Sequence, residues 1–118
     1  MKRVVSVLIG TALATFGVST SPAFASNFSS TTVGAIARWD DSSNTISATD
    51  TQIDSASAVA QLRRPNGNVT TYTNSNKEGS TRLWSVSVAE DANIQIRACK
   101  SDNGGAPFGC DTWRSGTS

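Results

Sequence analysis

Two cysteines on either side of a Gly-rich decapeptide constrain this chain more than any other feature. Cys99 ends the run Ile94-Gln-Ile-Arg-Ala-Cys99, and Cys110 opens Cys110-Asp-Thr-Trp113. Strand alternation puts Ile94, Ile96 and Ala98 on one face, with Gln95, Arg97 and Cys99 on the other. On the return strand Cys110, Thr112 and Arg114 share a face, so Trp113 is expected opposite them, packed beside Ile96 and Ala98. The intervening Lys100–Gly109 is too long for a two-residue turn and too polar for a core. It is expected to be an exposed loop on a base stapled by Cys99–Cys110, worth about 2–3 kcal/mol in the chain-entropy model.

The start of the chain supplies the reason for the staple. Lys2 and Arg3 precede an apolar run from Val4 to Val18, and Ala23-Phe24-Ala25 has the small-x-small pattern of a cleavage site. Residues 1–25 therefore read as a secretory signal peptide, and the run is short for a membrane span. The protein is expected to be secreted and extracellular, where two cysteines pair rather than persist as thiols. What remains is a loose leader, residues 26–30, and one small domain, residues 31–118. Its eight basic and nine acidic residues offer no field for a nucleic acid or an anionic membrane.

The mature segment holds 15 Ser, 11 Thr and 8 Asn, which disfavours helix, while Thr and scattered Val and Ile favour strands. Alternating runs are expected over residues 31–39, 45–50, 57–63, 69–73 and 80–88, ahead of the stapled hairpin. Asp40-Asp41-Ser42-Ser43-Asn44 and Pro65-Asn66-Gly67-Asn68 mark turns between them. The fold class is thus all-β: a small antiparallel β-sandwich of about seven strands. Val33, Ala35, Ala37, Ile46, Ala48, Ala58, Ala60, Leu62, Trp84, Val86, Val88 and Ala98 are the expected inward residues, and Ile53 is expected to pin a connection. With six alanines among them the core is thin, so Phe28 in the polar leader invites the reading of a strand donated to a partner.

An early Trp, a late Ile-x-Ile-Arg-Ala-Cys, a loop and Cys-x-x-Trp resemble a fibronectin type III or immunoglobulin-like sandwich over residues 83–114. That resemblance implies that the last two strands form a hairpin. Two departures accompany it: no tyrosine stands just ahead of Cys99 to make a tyrosine corner, and the cysteines staple one hairpin instead of bridging two sheets. The chain is also similar to the small, Ser/Thr-rich, single-disulfide β proteins exported by Gram-positive bacteria, particularly actinobacteria, which implies a binding or assembly role.

Chemistry is limited by what is missing. The chain has no histidine, hence no Ser-His or Cys-His dyad and no imidazole metal site. Its only cysteines are expected to be oxidised. Asp40 and Asp41 read as turn formers, and Asp50 and Asp54 sit on a bend with little room for a cleft between them. No catalytic residue, metal or cofactor is expected. The candidate binding residues are Trp39 at the rim of its strand and Lys100, Pro107 and Phe108 on the stapled loop, since exposed aromatics on constrained loops anchor partners. Arg97, Arg114 and Lys100 are expected to form a basic patch on one outward face. The reading is a non-catalytic module that binds another secreted or cell-surface protein, or wall glycan. An inhibitor of a protease or glycosidase presenting Lys100–Gly109 is the alternative.

Overall fold

The computed structural model describes residues 27–76 and 78–118, and the signal-peptide reading of residues 1–25 lies outside them. The described residues form eight strands: β1 (Phe28–Thr32), β2 (Ala35–Asp40), β3 (Thr45–Asp50), β4 (Ala56–Arg63), β5 (Val69–Asn74), β6 (Thr81–Ser85), β7 (Asn93–Asp102) and β8 (Arg114–Thr117). They make two four-stranded sheets, ordered β1-β2-β3-β6 and β5-β4-β7-β8, and every pairing is antiparallel. The protein is a small β-sandwich, as its alternating runs require.

The inner faces of the sheets meet over a core of Ala35, Ala37, Trp39, Ile46, Ala48, Ala58, Ala60, Leu62, Val86, Ile94, Ile96 and Ala98. Each is the inward member of a period-2 pattern, and the register sets them opposite one another: Ala37↔Ala48, Trp39↔Ile46, Leu62↔Ile96 and Ala60↔Ala98. The alanines let the sheets approach closely around one large ring. That ring is Trp39, 1% exposed. Trp84 lies beside the core at the edge of the first sheet, its ring 5.3 Å from that of Tyr72 across the sandwich. Asn74, fully buried at the end of β5, donates to the carbonyls of Ala48 and Ser80, so its buried amide nitrogen is satisfied.

Several expectations change. There are eight strands where about seven were expected, because the run over residues 31–39 is broken at Val33-Gly34 and the segment before the break is a strand of its own. Gly34 has a φ of 93° and accepts at its carbonyl from Thr51 N–H, a turn geometry that glycine adopts without strain. Val33, at the turn, is 70% exposed instead of inward. Residues 28–30, expected in a loose leader, belong to β1 and pair with β2 in the register Phe28↔Trp39. The segment read as a strand for donation to a partner is thus used within the chain.

β1 is held by its inward residues. Phe28, Ser30 and Thr32 each meet the C-terminal segment: the Phe28 ring occupies the space where a Cβ of Gly116 would stand, Ser30 hydrogen bonds Asp111, and Thr32 Oγ1 donates to Gly109 O. Two of these three residues are polar. Their fastening is by hydrogen bond, a pattern that apolar periodicity does not register.

Trp113 is also placed differently. Its expected inward position assumed a continuous strand from Cys110. The chain from Cys110 to Trp113 is irregular, and β8 begins only at Arg114, which pairs with Ile96. One residue of lost alternation turns the indole onto the outer face of the second sheet.

Candidate functional site

The Cys99–Cys110 disulfide is present. Beside it Lys100 and Phe108 exchange two backbone hydrogen bonds of 2.8 Å, closing the loop at its neck. Asn103, at φ 51°, and Gly104 form the tip, where Gly105 N–H donates to Asp102 O and Ser101 Oγ to Gly105 O. The loop is therefore braced along its length rather than only at its base, and it presents Phe108 43% exposed.

Lys100 does not project from this loop as a free cation. It occupies an inward position of β7, opposite Ala58, beyond the last core layer. Its ammonium reaches across the end of the sandwich to Asp54 Oδ2 at 2.8 Å and Gln52 Oε1 at 3.2 Å, both on the β3–β4 connection. A Cβ at Gly34 would stand 3.1 Å from Lys100 Nζ and 3.0 Å from Gln52 Oε1, so the β1–β2 turn closes over the same group. The hydrogen bond from Lys100 holds the Asp54 carboxyl below its ordinary range. The ammonium thus binds one connection and lies against the turn of another.

Around that hub stand the apolar side chains of the loop end. Val33 adjoins Gly34, Ile53 lies between Gln52 and Asp54, and Phe108 pairs with Lys100. They are 70%, 84% and 43% exposed. Ile53, expected to pin its connection from within, faces solvent instead. Pro107 is half-buried next to Phe108. Of the sequence candidates, Lys100, Pro107 and Phe108 belong to this end. Trp39 does not: it is core, because its strand continues into the sheet between β1 and β3. Val33 and Ile53 were missed as surface residues, Val33 because alternation with Ala35 and Ala37 assigned it to the core and Ile53 because a lone apolar residue in a connection reads as a buried pin.

The expected basic patch is not formed. Arg114 turns to Asp111, with Nε 3.0 Å from Oδ2, Lys100 is bound to Asp54 at the loop end, and Arg97 lies on the outer sheet face. There Trp113 rests against two guanidiniums, Arg63 at 4.3 Å and Arg97 at 4.4 Å from its ring centre.

The acidic residues are engaged separately. Asp40 accepts from the N–H and the hydroxyl of Ser42, the hydroxyl most strongly lowering its carboxyl, as in a capped turn. Asp50 accepts from Gln52 N–H, and Asp54 holds Lys100. Among the described residues no three His, Cys, Asp or Glu side chains come together, and no helix is long and apolar enough to cross a membrane.

Compared with known proteins, the chain matches no family model, and neither the curated proteins nor the solved structures provide a significant match.

Proposed function

We propose that this is a secreted, non-catalytic interaction module of fibronectin type III or immunoglobulin-like kind, which engages another secreted or cell-surface protein through the loop end around Lys100. One observation carries the reading: Val33, Ile53 and Phe108 stand exposed on three loops that meet around Lys100, whose ammonium binds the β3–β4 connection, whose backbone pairs with Phe108, and whose side chain lies against the β1–β2 turn. Large apolar groups held on rigid loops are costly to leave in water and need no ordering on contact, which is the pattern of an interface anchor. The neighbouring placement of β7 and β8 supports the hairpin that the family resemblance implies.

The test is a comparison of the native protein with Val33→Ser/Ile53→Ser/Phe108→Ser as immobilised bait for proteins of the spent culture medium. The native bait retains a component that the triple variant loses while both melt at the same temperature. Equal retention by the two baits sinks the reading.

The braced geometry of Ser101–Phe108 favours a second reading, an inhibitor whose loop enters a hydrolase cleft already in its bound shape. Inhibition within a panel of proteases and glycosidases, abolished by Phe108→Ala, distinguishes it from a module of assembly.

A further inference from the structure

The end of the sandwich opposite Lys100 carries a different kind of surface. There the ends of β4, β7 and β8 border an open concavity of about 540 Å³, whose lining includes Arg63, Arg64, Asn93, Gln95 and Ser115. No aspartate or glutamate lines it. Its volume falls in the range of small-ligand sites.

Two cross-strand ladders arrange the cations beside it. Arg63 Nε donates to Gln95 Oε1 at 2.8 Å, and Gln95 Nε2 to Ser115 Oγ at 3.2 Å, linking β4, β7 and β8. Arg97 Nε donates to Gln61 Oε1 at 2.7 Å, and Gln61 Nε2 to Thr71 Oγ1 at 2.9 Å, linking β7, β4 and β5. Both guanidiniums are thus oriented through Nε, and both lie against the Trp113 ring. Among the described residues their Nη groups have no protein partner, and no carboxylate lies within ion-pair distance of Arg63, Arg64 or Arg97. Arg64 is anchored by Nη1 to Thr70 Oγ1 at 2.9 Å and by Nη2 to Ser87 O at 3.5 Å.

This is an unusual arrangement of cations. Two like charges on one indole repel each other, and the ring's negative face offsets only part of that. Elsewhere in the molecule the chain supplies a carboxylate to a cation in a comparable place, Asp111 to Arg114 and Asp54 to Lys100. Here it supplies neutral amides that aim the guanidiniums and leave their paired N–H donors outward. Such a fork matches a carboxylate or phosphate oxygen pair. Next to it, the Asn93 amide joins the laddered Gln95 amide and Ser115 hydroxyl, which keep only their remaining hydrogen-bonding positions, in a polar lining suited to a ligand dense in hydroxyls rather than to an apolar one.

We propose that the concavity lined by Arg63 and Arg64, which Arg97 adjoins through the shared Trp113 ring, is a binding site for an acidic oligosaccharide, with the guanidiniums on its carboxylate or phosphate groups and Asn93, Gln95 and Ser115 on its hydroxyls. The site is independent of the loop end: it lies at the other pole of the sandwich and shares no residue with it.

The experiment is a titration of the full domain with trigalacturonate, followed by Trp113 fluorescence and by amide chemical shifts. Parallel arms use neutral maltotriose, inorganic phosphate and tetraglutamate. Trigalacturonate is expected to shift the amides of Arg63, Asn93, Gln95 and Ser115, while maltotriose does not bind. Raising NaCl from about 20 to about 300 mM should weaken binding about tenfold, because the contact is between charges at the surface. Arg64→Gln, which leaves the Trp113 stack untouched, and Arg97→Gln should each weaken it by about tenfold or more with the melting temperature held within a few degrees. Trigalacturonate binding no tighter than maltotriose, or unchanged in both variants, overturns the site. Phosphate binding as tightly as trigalacturonate overturns the sugar assignment, and tighter binding of tetraglutamate overturns it in favour of an acidic peptide.

Discussion

Ser30 and Asp111 lie 81 residues apart in the chain and share a 2.8 Å hydrogen bond, Ser30 Oγ donating to Asp111 Oδ2. The same hydroxyl accepts from Ala98 N–H at 2.8 Å, and Asp111 N–H donates to Ala98 O at 2.9 Å. A closed set of three bonds therefore fastens an edge strand of the first sheet to β7 and to the irregular segment that follows the disulfide. Ser30 is 1% exposed, so water cannot replace the partner it provides.

Ser30→Ala removes that hydroxyl and leaves the Ala98 N–H buried without an acceptor. The cost is expected at about 1–3 kcal/mol, a drop in melting temperature of roughly 4–8 °C for each kcal/mol in a domain of this size. Thermal unfolding followed by circular dichroism measures it. Hydrogen exchange should report faster opening of residues 28–32 than of β2 or β3.

Asp111 also makes the fold sensitive to acid. The Arg114 guanidinium and then the Ser30 hydroxyl hold its carboxyl down at about 2, from an ordinary value of 3.8. A depressed folded-state value means stability that is present above pH 4 and is lost as pH falls from about 4 to about 2, on the order of 2 kcal/mol in all. Urea unfolding between pH 5 and 2 is expected to show this slope in the native protein. Asp111→Asn should be less stable at pH 5 and should have a shallower slope.

Gly116→Ala places a methyl group where the Phe28 ring lies, on the backbone side of a packed strand. Overpacking of this kind is expected to cost about 1–3 kcal/mol. The test is a double-mutant cycle with Phe28→Ala: the double variant should be less destabilised than the two single changes added together, because the truncated ring makes room. Strict additivity would contradict the contact.

Reduction of Cys99–Cys110, or the pair Cys99→Ser/Cys110→Ser, is expected to cost about 2–3 kcal/mol. It should also free the segment that lays Trp113 on Arg63 and Arg97. Tryptophan emission then shifts to the red while the β-sheet circular dichroism signal survives at low temperature, since the core residues belong to strands that pair without the staple.

Much of this architecture could be read from residue order. The alternations Ala35/Ala37, Ala58/Ala60/Leu62 and Ile94/Ile96/Ala98 fall on the core as expected, because period-2 burial is a local signal repeated along each strand. The turn residues Asn66-Gly67 and Asp40 to Asn44 likewise declare themselves by backbone preference. The disulfide could be read too, from its flanking strands. At the loop end, Phe108 and Pro107 stood out as apolar groups in a polar loop, whereas Val33 and Ile53 join them only through the convergence of three loops on Lys100.

What residue order alone determined was the all-strand body, its inward faces and the Cys99–Cys110 bond, since each follows from interactions between near neighbours or from the only pairing available. Tertiary structure decided the rest. It placed β1 in the first sheet through hydrogen bonds to residues some eighty positions away, sank Trp39 between two flanking strands, and turned Trp113 outward through an irregularity four residues long. Those outcomes depend on which distant groups satisfy one another's charges, hydroxyls and backbone, and a hydrophobic period carries no record of that choice.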